Sequence, residues 1–542
     1  MATSPGAPQL TAAGTPYDPR AAIAVIGVLA GMALMVTYVE TMVLPAFRAF
    51  ITFFDHAPTT TVVWIVSAYL LVGTVATPIF GKLGDKYGKK RMLVLVMGLY
   101  AVAVSLAGFS PNLGAAFGLD RANQIYVLIG IRAFQGLGMG MFPLAFAMLP
   151  EAFPAARVGQ AQGIVSAMFA AGASLGLVGG GYIAYTWGWQ LTYHTVIPVA
   201  VTVAVLAYFL LRESPHLTPA PIDFPGIASL GFALATVMFG LTEGAYWGWA
   251  NFSAVHVEGL PWGVPEFFLL ALVGAVFFLA WEPRSPHPVV SFAALKQRNI
   301  WISNVNGVFV GIGMFLIFIS LVILVEYPVA PGFDYNEFQM GLVSVPSSLS
   351  MLALAPLWGR WVAARGPKPV MIVGFVVMGL GGAGLVAFHS NVYELVLFAI
   401  PSLVGNVAVL IAMSNIIVLS VSPKELGIQT GMNQTFRNLG SAIGPVVAAT
   451  VTASLMTTTT VFEHGVPIPY PTYRVLGFEI VFGIVALVAA VGALLSLGLR
   501  NYRFSADGTR VGHEEPAPGL APAPPAPKPQ PTALPADPGP GA

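Results

Sequence analysis

Three charged side chains, Glu40, Arg132 and Arg437, lie inside long apolar runs of a 542-residue chain in which only 9% of residues are Asp, Glu, Lys or Arg. A charge at the centre of a membrane helix costs about 2.5 to 3.5 kcal/mol on insertion scales, so it faces a cavity, a partner, or both. A carboxylate so placed can carry a proton. Apolar surroundings resist its ionisation, a nearby guanidinium favours it, and movement of one against the other loads or releases the proton. Glu40 and Arg132 lie toward the same end of their helices, at comparable depth, and could pair in an empty site. Each also has a plainer reading, Glu40 as a hydrated residue of the outer interface and Arg132 as a buried tie to backbone carbonyls. Arg437 belongs to a polar stripe at i, i+4 spacing, Gln429, Asn433, Arg437 and Ser441. On a spanning helix such a stripe must face water or protein, which points Asn433 and Arg437 toward an inward cavity or gate.

The second concentration of chemistry is Gly81 to Arg91, GKLGDKYGKKR, which packs five of the chain's 24 Lys and Arg residues between two apolar runs. A basic knot on a short loop between membrane spans marks the cytoplasmic side. Gly81, Gly84 and Gly88 permit close helix approach and tight turns, and Asp85 can accept from the exposed N–H groups that open the next helix. Lys89, Lys90 and Arg91 could equally do no more than touch lipid phosphates.

The elements that must position these groups are membrane helices. The chain is 56% hydrophobic with a mean hydropathy of +0.78. Its apolar runs predict fourteen helices, near 21–47, 60–81, 91–111, 124–149, 161–185, 191–212, 225–248, 264–281, 301–325, 338–362, 369–388, 394–420, 431–455 and 474–499. With a cytoplasmic amino terminus, the outer loops hold only Arg48, Arg121 and Arg474 among the basic residues, which supports that orientation. A formal net charge of +1 with no long basic tract gives no nucleic-acid partner. Zero cysteines exclude disulfides and thiolate metal sites, and no metal-ligand cluster, cofactor motif, phosphate loop or nucleophile–base array of an enzyme is present.

The second half repeats the first. Gly81, Gly88 and Lys90 recur 278 residues later as Gly359, Gly366 and Lys368, and Gly159, Gly163, Gly172 and Gly176 recur 268 residues later as Gly427, Gly431, Gly440 and Gly444. Two similar offsets imply one duplicated unit with extra helices between the copies. The plan is a cytoplasmic tail (1–20), a six-helix bundle (21–212), two accessory helices with cytoplasmic linkers (213–300), a second six-helix bundle (301–500) and a Pro/Ala-rich cytoplasmic tail (501–542) of a composition that does not form a packed core.

GKLGDKYGKKR, with IRAFQGLGMG (Ile131 to Gly140) and GASLGLVGGGYI (Gly172 to Ile183), resembles the ordered motifs of the major facilitator superfamily. DFPGIASL (Asp223 to Leu230) followed by LTEGAYWGW (Leu241 to Trp249) is similar to the extra seventh helix of its 14-spanner drug:proton antiporters. The resemblance covers nearly all of residues 20–500. It implies an all-α fold of two pseudo-symmetric six-helix bundles plus two central accessory helices. It also implies a cytoplasmic gate at Asp85 and an antiport-associated packing face at Gly172, Gly176, Gly180 and Gly181. Two positions depart from the pattern: Leu177 stands where the family has Pro, and Val36 where it has the first-helix Asp, so Glu40, one turn on, takes the proton-carrier role as a hypothesis.

The expected function is a proton-coupled exporter of amphiphilic small molecules in a cell membrane, multi-pass, with both termini cytoplasmic, bacterial, acting as a monomer without a cofactor. The alternatives are a dedicated exporter of one endogenous metabolite or lipid, and a transporter-like sensor that binds its ligand without moving it.

Overall fold

The computed structural model describes residues 10–11, 15–214, 217, 221–250, 255–257, 260–286, 288, 295–421, 426–463, 466–504 and 510–512. A helix overlies each of the fourteen expected ranges. The first six are α1 (Pro19–Thr41), α2 (Trp64–Tyr87), α3 (Lys89–Gly108), α4 (Gln124–Ala152, with a 3-10 stretch at Gly136–Gly140), α5 (Ala155–Trp187) and α6 (Trp189–Leu210). Next come α7 (Phe224–Trp247) and α8 (Val264–Trp281). The last six are α9 (Arg298–Glu326), α10 (Glu337–Arg365), α11 (Pro367–Ala387), α12 (Val392–Ser420), α13 (Leu426–Ser454) and α14 (Val475–Leu497).

Among the described residues twelve helical stretches are long and apolar enough to cross a membrane, against the fourteen expected. The two helices outside that set are glycine-rich α5 and α13, whose first half carries Gln429, Asn433, Gln434, Arg437 and Asn438.

Local chemistry sets the helix ends. Asp18 accepts from Arg20 N–H at 3.0 Å to open α1, and Asp223 accepts from Gly226 N–H at 3.0 Å to open α7. Asn336 and Gln339 form a reciprocal capping box at α10. Single glycines in the left-handed region join α2 to α3 (Gly88, φ 105°), α5 to α6 (Gly188, φ 90°) and α10 to α11 (Gly366, φ 85°). Gly88 and Gly366, the pair related by the repeat, share this backbone conformation.

Within the first half α1 packs on α5 and α3 on α6, and within the second α9 packs on α13 and α11 on both α12 and α14. The halves meet along two seams, α2 against α13 and α5 against α10. The accessory pair packs together, and α7 covers the α2–α13 seam. Trp64 Nε1 of α2 donates to Thr242 Oγ1 of α7 at 3.1 Å, and Thr450 Oγ1 of α13 donates to the Leu241 carbonyl of α7 at 2.9 Å.

Among the described residues, short strand pairs lie between helices and after α14. Met456–Glu463 pairs antiparallel with Val466–Tyr473 between α13 and α14, a region expected to be loop. Its Thr457–Thr460 run is β-branched, which favours extended pairing. Tyr502–Phe504, at the start of the tail, pairs antiparallel with Arg510–Gly512, and the rest of the expected disordered tail, 505–509 and 513–542, lies outside the described residues.

The α11–α12 crossing depends on backbone approach. A Cβ at Gly405 would lie 3.0 Å from Met378 Cα, with the Gly374 carbonyl nearer still. Gly405→Val is therefore expected to cost about 1–3 kcal/mol of packing strain, read as a lower thermal midpoint in detergent, with Gly405→Ala between it and the parent.

Candidate functional site

Glu40 occupies the last turn of α1, and α5 holds that turn in place. Thr41 Oγ1 donates to the Thr37 carbonyl and, across the helix interface, to the Ala173 carbonyl, both at 2.9 Å. A Cβ at Gly172 would lie 2.9 Å from the Leu34 carbonyl carbon, one at Gly176 3.1 Å from Met42 N, and one at Gly180 2.5 Å from Met42 Cα. These three glycines thus make a seat for the segment of α1 that carries Glu40. Gly181 faces the other seam, where its Cβ would run into the Glu337 carbonyl of α10.

Glu40 is densely surrounded by protein yet keeps a partly accessible surface, and so does Arg437. The positive charges acting on Glu40 are Arg437, the stronger, and Arg132. Neither forms an ion pair with it among the described residues.

The expected Glu40–Arg132 pairing is accordingly not made. Arg132 has no exposure at all. Its Nε donates to the Ile65 carbonyl at 2.9 Å and its Nη1 to Gln135 Oε1 at 2.7 Å, and its guanidinium lies 4.6 Å from the centre of the Tyr69 ring. These contacts fasten α4 to α2, which is the tie to backbone carbonyls that the sequence left open.

The α13 stripe divides likewise. Asn433, expected at a cavity or gate, is buried and donates to the Ser303 carbonyl at 3.2 Å and to Asn304 Oδ1 at 3.1 Å, tying α13 to α9. Arg437 remains partly accessible. The residue that reaches the other half is Asn438, whose Nδ2 lies 3.5 Å from both Thr77 Oγ1 of α2 and Met139 Sδ of α4. The i, i+4 count passed over it because it sits one position off the stripe.

In the basic loop Asp85 does not take the N–H groups that open α3. Glu213, in the segment after α6, accepts them: Lys90 N–H at 3.0 Å and Arg91 N–H at 3.1 Å. Lys89 Nζ pairs with Glu151 Oε1 at 2.5 Å, and Ser214 Oγ donates to the same oxygen at 2.6 Å. Lys89 and Glu151 are also the charges that act on Asp85. Gly84 packs under Leu144, and a Cβ at Gly81 would be 3.6 Å from Pro143. The loop thus binds α2 and α3 to α4 and to the end of α6 within the first half, and its Lys82 Nζ also donates to the Pro288 carbonyl, after α8, at 3.2 Å. The second half repeats the device with an amide. Asn501, after α14, accepts from Lys368 N–H at 3.2 Å and donates to the Arg365 carbonyl at 2.9 Å.

At the end of the bundle opposite the basic loop, the halves are tied directly. Arg48, in the short helix Phe47–Phe53, donates its backbone N–H to Glu326 Oε2 at 2.9 Å and its Nη1 to Asp334 Oδ1 at 2.7 Å. Thr59 and Tyr473 hydroxyls meet at 2.7 Å. Apart from Arg48, which the sequence marked only as an outer-loop cation, none of these residues stood out, because each lies at a helix end or in a loop where a polar residue is ordinary.

Two helical groups meeting along two seams, with Glu40 of one and Arg437 of the other both partly accessible and ties at one end, have the architecture of a two-bundle membrane transporter. The chain belongs to the major facilitator superfamily, whose family model matches residues 29–325 and 305–534. It is similar to the multidrug transporter protein MdtP of Bacillus subtilis (26% identical, covering 70% of this chain and 66% of that protein). It is also similar to the tetracenomycin C resistance and export protein of Streptomyces glaucescens (24% identical, 74% and 70% covered). Among solved structures it shares its fold with the xylose transporter XylE from E. coli (TM-score 0.58, 13% identical, 87% and 96% covered). The human organic anion transporter MFSD10 is comparable (TM-score 0.56, 14% identical, 89% and 100% covered).

Removing the Glu213 cap leaves two N–H groups of α3 without their carboxylate. Because Glu213 is partly exposed, solvent screens the loss, and Glu213→Ala is expected to destabilise by on the order of 1 kcal/mol, measured as a lower thermal midpoint that Glu213→Gln partly restores.

Proposed function

We propose that this protein is a proton-coupled exporter of amphiphilic small molecules that works by alternating access in a cell membrane. On this reading both termini and the basic loop are cytoplasmic, and α5 and α13 cross the membrane with the other twelve helices to make a plan of six plus two plus six. The observation that carries it is Glu40: an acid in a membrane helix, partly accessible, seated by glycines of α5 and acted on by a cation from the opposite half. Rocking of the halves alters the distance between Glu40 and Arg437, and with it the balance between a held and a released proton. Substrate would occupy the space between the halves near the midplane. The drug-export reading draws support from relatives named as a multidrug transporter and a multidrug resistance protein homolog. A second reading, a dedicated exporter of one compound made by the cell, draws on the relative named for tetracenomycin C.

In cells stripped of their own efflux pumps, the protein should lower retention of a cationic fluorescent dye, and a protonophore should abolish that effect. Glu40→Gln should raise retention to the empty-vector level with the protein still in the membrane. Intact, protonophore-sensitive export by Glu40→Gln would eliminate Glu40 as the carrier. Unchanged dye retention by the parent protein would favour the dedicated exporter.

The two arginines should separate in the same assay. Arg437→Gln should reduce proton-dependent export at normal protein level, whereas Arg132→Gln should lower the amount of folded protein, since Arg132 ties α4 to α2. Western quantification beside dye efflux distinguishes the two.

A further inference from the structure

Glu326, the last residue of α9, is 3% exposed and sits where the two halves close over the end opposite the basic loop. Its Oε2 accepts a single bond, from the Arg48 N–H of the other half, and its Oε1 is buried with no hydrogen-bond partner among the described residues. The charged groups that face it are few. The Arg48 guanidinium is turned to Asp334 and to the Tyr335 carbonyl. Glu337, at the start of α10, adds a second negative charge nearby. An ionised carboxylate out of water costs several kcal/mol, more than one backbone N–H returns. The neutral acid fits this pocket: one oxygen accepts from Arg48, and no full charge is left buried. When the halves part at this end, Glu326 loses the Arg48 contact and meets water, where a carboxyl group is ionised at neutral pH.

We propose that Glu326 is a second proton-binding site, separate from Glu40, whose protonation holds the outer end of the transporter closed. Closure takes up one proton and opening returns it to the outer solution. Acid outside therefore favours the closed form, and the ratio of closed to open molecules changes by up to about tenfold per pH unit between the two titration points. The sign separates this site from its neighbour. Protonation of Asp334 would break the pair with Arg48 and open the same end, so an Asp334-governed closure would weaken in acid.

The inference rests on alternating access, and the test reads conformation without transport. The chain has no cysteine, so two introduced ones report cleanly. Ala115→Cys, before α4, and Tyr393→Cys, at the start of α12, are exposed and lie in opposite halves at this end. Spin labels at these two sites in the full-length protein in nanodiscs give the distance distribution by electron double resonance across a series of buffers from mildly alkaline to acidic. The expected result is a short-distance population that grows with acid in the parent, dominates at every pH in Glu326→Gln, and titrates with a displaced midpoint in Glu326→Asp. The inference is overturned if acid shrinks the short-distance population, if Glu326→Gln keeps the parent's pH response, or if Glu326→Asp leaves the midpoint in place. Two populations indifferent to pH sink this inference alone, whereas a single population at every pH sinks alternating access with it.

Discussion

Helices in hydrocarbon gain nothing from the hydrophobic effect by touching one another, so their association depends on close backbone approach and on the few polar groups that find partners. The glycines of α5 meet this constraint for α1. Gly172, Gly176 and Gly180 let the Leu34, Tyr38 and Met42 backbone lie against them, and the Thr41 hydroxyl crosses to the Ala173 carbonyl. The position of Glu40 follows from that contact. Bulk on α5 would push out the turn that holds the acid. The same helix presents Gly181 to α10, so one glycine-rich surface serves both the acid's helix and a seam between the halves.

Charge is distributed in a second layer on this scaffold. At the basic-loop end, Lys89–Glu151 and the Glu213 cap hold α2, α3, α4 and the end of α6 as one body. Asn501 does the same for α10 and α11 in the other half. These bonds stay within a half, so they stiffen each unit without joining the two. At the opposite end the bonds run between halves, through Arg48, Glu326, Asp334, Thr59 and Tyr473. Rigid units with breakable ties between them suit a rocking motion about a central site.

α7 adds a bridge over one seam. It bonds Trp64 of α2 through Thr242 and Thr450 of α13 through the Leu241 carbonyl, so movement of α2 against α13 must strain or slide these contacts. The accessory pair is thereby coupled to the seam and is more than a spacer between the copies.

The sequence by itself determined the all-helical membrane class, the helix order and the family motifs, because apolar length, glycine spacing and basic clusters are one-dimensional signals, while the glycine and polar content of α5 and α13 leaves twelve of the fourteen expected helices apolar enough to cross a membrane. It also singled out Glu40 and the α5 glycines, since a lone acid in an apolar run and a run of small residues are both conspicuous. What it could not supply was partners. Arg132 looked like the mate of Glu40 by depth, yet it is spent on Ile65 and Gln135. Asp85 looked like the cap of α3, yet Glu213, 128 positions away, takes that place. Asn433 looked like a cavity residue, and Asn438, one position past Arg437, is the one that reaches the other half. Glu326 gave no signal, being an ordinary glutamate at a helix end. Pairing was left to the tertiary structure because a side chain's partner depends on helix rotation and crossing, and about 100° of rotation per residue turns neighbouring positions to different faces.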